Sequence, residues 1–165
     1  GEWRGVTLCR FPFRQALARP AQALLIPEIV TLARKYDCRL YVDEAHSLGV
    51  LGPRGEGTGH HFGMPESIDL VMGTFSKSFA SIGGFVAGEK KVIHYIRHKA
   101  RPFMFSAAMP PGSVGSVLEC LNIIENEPTH IERLRQNAKF MSENLTRLGF
   151  ETLGSQTPIV PILVG

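Results

Sequence analysis

Ile68-Asp69-Leu70-Val71-Met72-Gly73-Thr74-Phe75-Ser76-Lys77-Ser78-Phe79 is the stretch that decides the reading of this chain. Ile68 to Gly73 has the composition of a short buried strand, ending at Thr74. Small residues and hydroxyls follow, then Ile82-Gly83-Gly84-Phe85. Lys77 is thereby held on a small-residue turn between two apolar runs. An amine held there is poorly hydrated, which favours the neutral form that attacks a carbonyl to give a Schiff base. A lone loop lysine is more often a solvated one, so the neighbouring elements have to decide.

Upstream, Pro27 to Lys35 reads as a helix, with Pro27 at its start, Glu28 near its positive end, and Ile29, Val30, Leu32 and Ala33 as its apolar face. Arg39-Leu40-Tyr41-Val42 reads as a buried strand ending at Asp43, followed by a Gly/Pro-rich loop from Gly49 to Gly63. Downstream, Gly84 to Gly88 is a third strand and Glu89 to His98 a helix with Val92, Ile93 and Ile96 inward. A helix from Ser113 to Glu125 is broken at Pro128. Another runs from Thr129 to Leu148, with Ile131, Leu134, Ala138, Met141 and Leu145 on its apolar face. Thr129 and Glu132 have capping-box spacing, and Gly149 suits the stop. Phe150 to Leu153 and Ile159 to Val164 read as strands. This order predicts an α/β layered fold, in which chemistry gathers beyond the carboxyl ends of the strands. Asp43 and His46 follow one such end; Thr74, Ser76 and Lys77 follow another.

The 165 residues suffice for a core of moderate size. The net charge of +3 is small and its cations are scattered, which argues against a nucleic-acid partner. No apolar run approaches the ~20 residues that span a bilayer, and the start has no signal-peptide h-region. Cys9, Cys38 and Cys120 are odd in number and form no Cys-x-x-Cys pair, which predicts buried free thiols in a reducing, cytoplasmic setting.

A lysine, a carboxylate, a histidine and two hydroxyls together suit a pyridoxal 5'-phosphate site. The lysine holds the aldehyde, and a carboxylate at the ring nitrogen keeps it protonated so that the ring acts as an electron sink. Hydroxyls and backbone N–H groups of a Gly-rich turn hold a phosphate. Asp43, Thr74 and Ser76 are also ordinary turn formers, and His46 could be a satisfied core histidine, so each element alone is weak.

Several ordered motifs sharpen this. Val42-Asp43-Glu44-Ala45-His46-Ser47-Leu48-Gly49-Val50-Leu51-Gly52, Gly55-Glu56-Gly57, Thr74-Phe75-Ser76-Lys77, Arg101 to Pro111 and Thr157 to Gly165 follow one another along the chain. Over about residues 26–165 the chain resembles the α-oxoamine synthases, pyridoxal phosphate enzymes of the aspartate aminotransferase fold (fold type I). The resemblance implies Lys77 as the Schiff-base lysine and proton carrier, and Asp43 at the pyridine nitrogen. It implies His46 at the phenolic oxygen or substrate, and Thr74 and Ser76 on the phosphate. Ser106 would reach the phosphate of the neighbouring subunit in a homodimer. The implied reaction condenses an amino acid with an acyl-CoA, releasing carbon dioxide and CoA and leaving an α-amino ketone. Ser76 and the Arg-Pro-x-x-Phe-Ser segment resemble the serine palmitoyltransferase branch, with L-serine as amino acid. The 8-amino-7-oxononanoate synthase and 2-amino-3-ketobutyrate CoA ligase branches compete.

The resemblance also predicts a partial fold: an atypical segment 1–25, part of the large cofactor-binding domain at 26–127, and a linking helix with the start of the small domain at 128–165. The family's phosphate loop, ring-stacking residue and carboxylate-binding arginine fall outside these motifs, so the chain alone is expected to be inactive. Three rivals remain. Asp43-Glu44-Ala45-His46 matches the magnesium motif of DEAH-type helicases, but no G-x-x-x-x-G-K-[ST] loop accompanies it. His46, His60 and His61 lack metal-ligand spacing, so no metal is expected. A non-catalytic family subunit would lack Lys77, which is present.

Overall fold

The computed structural model describes residues 26–155 and 157–163. The atypical segment 1–25, Cys9 and the end of the last expected strand lie outside the described residues.

Helix α1, Ile26–Lys35, begins one residue before the predicted start, with Glu28 in its first turn and Arg34 and Lys35 in its last. Both placements complement the helix dipole. It ends on Asp37 in a left-handed conformation (φ 49°), where the Cys38 N–H bonds the Ala33 carbonyl and the Asp37 N–H the Arg34 carbonyl. Strand β1, Tyr41–Asp43, runs parallel to β2, Leu70–Thr74. Both start later than the sequence suggests. Leu40 is instead held by Asp69, whose carboxylate accepts the Leu40 N–H at 2.7 Å. Strand β3, Gly84–Gly88, closes the sheet antiparallel to β2, in the order β1-β2-β3. Ile26, Val30, Leu40 and Val42 form the buried core between α1 and β1, with Phe62, Met64 and Ile68 packed against it. Burying such side chains contributes about 1.5–3 kcal/mol each.

The predicted loop from Gly49 to Gly63 contains a short helix α2, Thr58–His61, and a 3₁₀ turn follows at Pro65–Ser67. After β3 come α3, Lys90–Lys99, a short α4, Arg101–Met104, that the sequence reading lacked, and α5, Pro111–Asn126. Val92, Ile93 and Ile96 are half-buried, as their spacing requires. Helix α6, Thr129–Arg147, follows the break at Glu127 and Pro128.

Three expectations fail here. The capping box at Thr129 does not form: Pro128 already has helical dihedrals (φ −63°, ψ −18°), and no side chain caps the helix. Thr129 is thereby drawn into the first turn, and the Glu132 N–H bonds the Pro128 carbonyl instead. Met141, placed on the apolar face by its spacing, is 53% exposed. The segments from Phe150 and from Ile159 are not strands among the described residues. Leu153 and Gly154 turn the chain with positive φ, and Pro158 and Pro161 supply no donors. One bond, from the Leu163 N–H to the Glu151 carbonyl, links the two segments. The stop of α6 is as expected: Gly149 (φ 89°) donates to Thr146 and Phe150 to Leu145. Among the described residues no helix is long and apolar enough to cross a membrane.

Candidate active site

Because β1 and β2 are parallel, their carboxyl ends share one edge of the sheet. Asp43 ends β1 opposite Met72, and Thr74 ends β2 two residues further on. Neighbouring strands lie about 5 Å apart, so the two ends open into one region. Asp43 is half-buried, and its Oδ1 accepts the Ala45 N–H at 3.0 Å, an Asx turn that fixes the carboxylate at the strand end. His46, also half-buried, lies in the helical turn that follows.

The second strand end carries the hydroxyls. Thr74 Oγ1 and Ser76 Oγ share a hydrogen bond at 2.9 Å, and the Ser76 N–H reaches Thr74 Oγ1 at 3.3 Å. Thr74 Oγ1 also donates to the Gly83 carbonyl at 3.3 Å, and that carbonyl accepts the Phe75 N–H at 3.0 Å. The turn is closed by bonds from the Ala80 N–H to the Lys77 carbonyl and from the Ser81 N–H to the Phe75 carbonyl. Beneath it, the Phe75 ring meets Phe79 edge-on at 5.4 Å and Phe85 at 5.7 Å. Phe79 is buried, whereas Lys77 is exposed. The poor hydration expected at Lys77 is therefore not found among the described residues: the Phe75 ring packs on Phe79 and on Phe85 of β3, and Lys77 stays exposed.

The two loops are joined directly. Ser78 Oγ donates to the Leu48 carbonyl at 2.8 Å. Gly49 (φ 76°) lies so close that a Cβ on it would stand 2.6 Å from Ser78 Cβ. The structure thus brings Asp43, the His46 turn, Thr74, Ser76 and Lys77 to one sheet edge. Ser106 is exposed, just after α4. His60 and His61 lie on α2, both exposed, and among the described residues no three His, Cys, Asp or Glu side chains group as metal ligands. Cys38 and Cys120 are free but half-buried rather than buried.

The sequence reading missed Glu44 as a structural group. It is 2% exposed, and its carboxylate is taken up by Ser47, Thr58 and Gly59. In the helicase-like reading that carboxylate belonged to a magnesium motif; here it is committed inside the fold. A buried carboxylate must find donors nearby, and the serine three residues on and the Gly57-Thr58 helix start were the available signal.

The mixed sheet and its helices match solved structures of the aspartate aminotransferase-like fold type I, of which the chain is a partial piece. Residues 22–165 match the family Aminotransferase class I and II, and the chain belongs to that family. A serine palmitoyltransferase from Bacteriovorax stolpii is 52% identical over 142 residues, covering 86% of this chain and 34% of the relative. An 8-amino-7-oxononanoate synthase/2-amino-3-ketobutyrate coenzyme A ligase from Thermus thermophilus is 49% identical over 85% of this chain and 36% of its own length. A solved serine palmitoyltransferase from S. paucimobilis, with a bound PLP–myriocin aldimine, superposes with a TM-score of 0.78 at 32% identity, over 85% of this chain and 37% of that one. The chain spans about a third of the length of the curated relatives it matches.

Proposed function

We propose that this chain is the cofactor-holding part of an α-oxoamine synthase, a pyridoxal phosphate-dependent acyltransferase. It would condense L-serine with an acyl-CoA thioester, releasing carbon dioxide and CoA. The observation that carries the reading is the shared sheet edge, where Asp43, the His46 turn, the Thr74–Ser76 hydroxyl pair and Lys77 meet. The donor set fits the cofactor: an acid for a ring nitrogen, hydroxyls for a phosphate and an amine for an aldehyde. The names of the relatives point the same way.

When bound, the cofactor supplies an electron sink for the charge left as a bond at the amino acid's α-carbon breaks. Everything else falls to side chains of this chain. Asp43, fixed by its Asx turn, holds a proton at the pyridine nitrogen. Thr74 and Ser76 bind the phosphate through hydroxyls already ordered by their mutual bond. His46 orients the phenolic oxygen or the substrate. Lys77 would hold the cofactor through its aldehyde group and would carry protons to and from the substrate's α-carbon. Ser106 would reach the site of a second copy in a homodimer. Phe103, Met104 and Phe105 beside it are 61%, 51% and 78% exposed, the kind of apolar surface a subunit contact covers. A division into a large-domain part at 26–127 and a small-domain start at 128–165, and a cytoplasmic setting, belong to the same proposal.

The relative from Thermus thermophilus keeps a second reading open, in which the same edge serves 8-amino-7-oxononanoate or 2-amino-3-ketobutyrate chemistry. Borohydride reduction of the full-length, cofactor-loaded protein, followed by peptide mapping, tests the site: label is expected on the Lys77 peptide, and label on another lysine overturns the assignment. CoA release with L-serine, L-alanine or glycine and acyl donors of different length then separates the branches.

A further inference from the structure

Glu44 stands between Asp43 and His46 in sequence but points the other way, into the protein. The Thr58 N–H reaches its two oxygens at 2.9 and 3.0 Å, Thr58 Oγ1 donates at 2.6 Å, and the Gly59 N–H approaches at 3.4 Å. Ser47 Oγ donates as well. Ser47 and Thr58 are 0% and 3% exposed. The Glu44 carbonyl meanwhile accepts the N–H groups of Ser47 and Leu48 at 3.0 and 2.9 Å, starting the turn that carries His46. One residue therefore ties down both ends of the loop 45–57. Gly57 (φ 107°) leaves the room: a Cβ there would stand 3.0 Å from the Glu44 carboxyl carbon. The chain of bonds continues through Leu48, whose carbonyl accepts Ser78 Oγ, next to Lys77.

A buried carboxylate is a costly way to hold a loop, and well-packed apolar side chains often serve stability equally well. What it adds is direction: several charge-assisted bonds converging on one group fix backbone positions more tightly than apolar contact does. Resting on the function proposed above, we propose that Glu44 is a positioning residue for the reaction. It holds the His46 turn against Asp43 and, through Leu48 and Ser78, sets the seat of the Lys77 turn.

The test uses the full-length protein loaded with pyridoxal phosphate and compares Glu44→Ala with Glu44→Gln, which keeps the shape and one of the two accepting oxygens. For Glu44→Ala, kcat should fall roughly ten- to a hundredfold at little-changed KM, since a displacement of about 1 Å has that effect. The pH profile of the bound cofactor's visible absorption should shift, and amides of residues 47–58 should exchange faster. Glu44→Gln, with its single accepting oxygen left for the Thr58 and Gly59 N–H groups, should recover part of the loss. If Glu44→Ala does not fold, Ser47→Ala and Thr58→Val, each removing one hydroxyl donor, should still lower kcat several-fold; wild-type kcat in both overturns the inference. A folded Glu44→Ala protein with wild-type kcat and absorption profile overturns the role of Glu44 alone. A wild-type protein that takes up no pyridoxal phosphate overturns the proposed function, and this role with it.

Discussion

The loop after β1 and the turn after β2 meet at the same sheet edge but are built on opposite plans. The first is locked from inside by a buried carboxylate, with Ser47, Leu51, Gly55, Gly57 and Thr58 all buried. The second has Ser76, Lys77 and Ser78 exposed, and only Phe79 is buried beneath them. One side is a fixed platform carrying a carboxylate and an imidazole; the other is an open turn carrying the amine. A site that must bind, react and release its ligand has use for both, because orientation comes from the rigid side and access from the open one.

The largest effect that would break this contrast is at the amine. Lys77→Ala in the full-length protein should remove the lysine-bound form of the cofactor from the absorption spectrum recorded without added amine, and lower turnover on the order of a thousandfold or more. The fold should be unperturbed, because an exposed side chain is removed. Normal turnover in this variant would reduce the turn to a surface loop. The next effect is at the seam between the two loops. Gly49→Ala places a Cβ against Ser78 at a left-handed φ, which should cost about 2 kcal/mol in urea unfolding. Lys77 should also be displaced, seen as a shift in the cofactor's absorption. A wild-type midpoint and spectrum would show that the loops move independently. Ser78→Ala removes only the 2.8 Å bond to Leu48 and should cost about 1 kcal/mol, with a smaller spectral shift in the same direction.

Much of this edge was legible from residue types. Strand ends at Asp43 and Thr74 follow from apolar runs that stop at polar residues, and both are where the structure ends them. The hydroxyl–amine order Thr74, Ser76, Lys77 needed no tertiary information. What was not legible depended on contacts distant in sequence. Glu44 was given no structural role, because its main partner, Thr58, lies fourteen residues on and turns back to bond it only in the fold. The capping box at Thr129 was a correct local pattern overruled by Pro128, which enters the helix first. The strands expected after Phe150 had suitable composition, but strands need partners, and among the described residues a single backbone bond joins the two segments.

The smallest test lies within the closed loop itself. Partial burial pushes the Glu56 carboxyl up, but the N–H groups of Arg54 and of Glu56 itself, and the Arg54 guanidinium, outweigh it and leave the group below its ordinary value of 4.5. The Arg54 N–H reaches Glu56 Oε2 at 2.8 Å, and its Nε reaches Oε1 at 3.1 Å. A carboxyl whose pKa is lower folded than unfolded stabilises the fold fully above 4.5, and the gain is lost as pH falls through the lower folded value. Wild-type stability should therefore decline in that acid window, and Glu56→Gln should flatten that part of the decline while costing a little at neutral pH. If the rigid platform depends on Glu44 and not on this outer pair, Glu56→Gln should leave the cofactor's absorption profile at neutral pH as it was. A shift as large as that of Glu44→Ala would mean that the loop is held from its rim as well as from its interior.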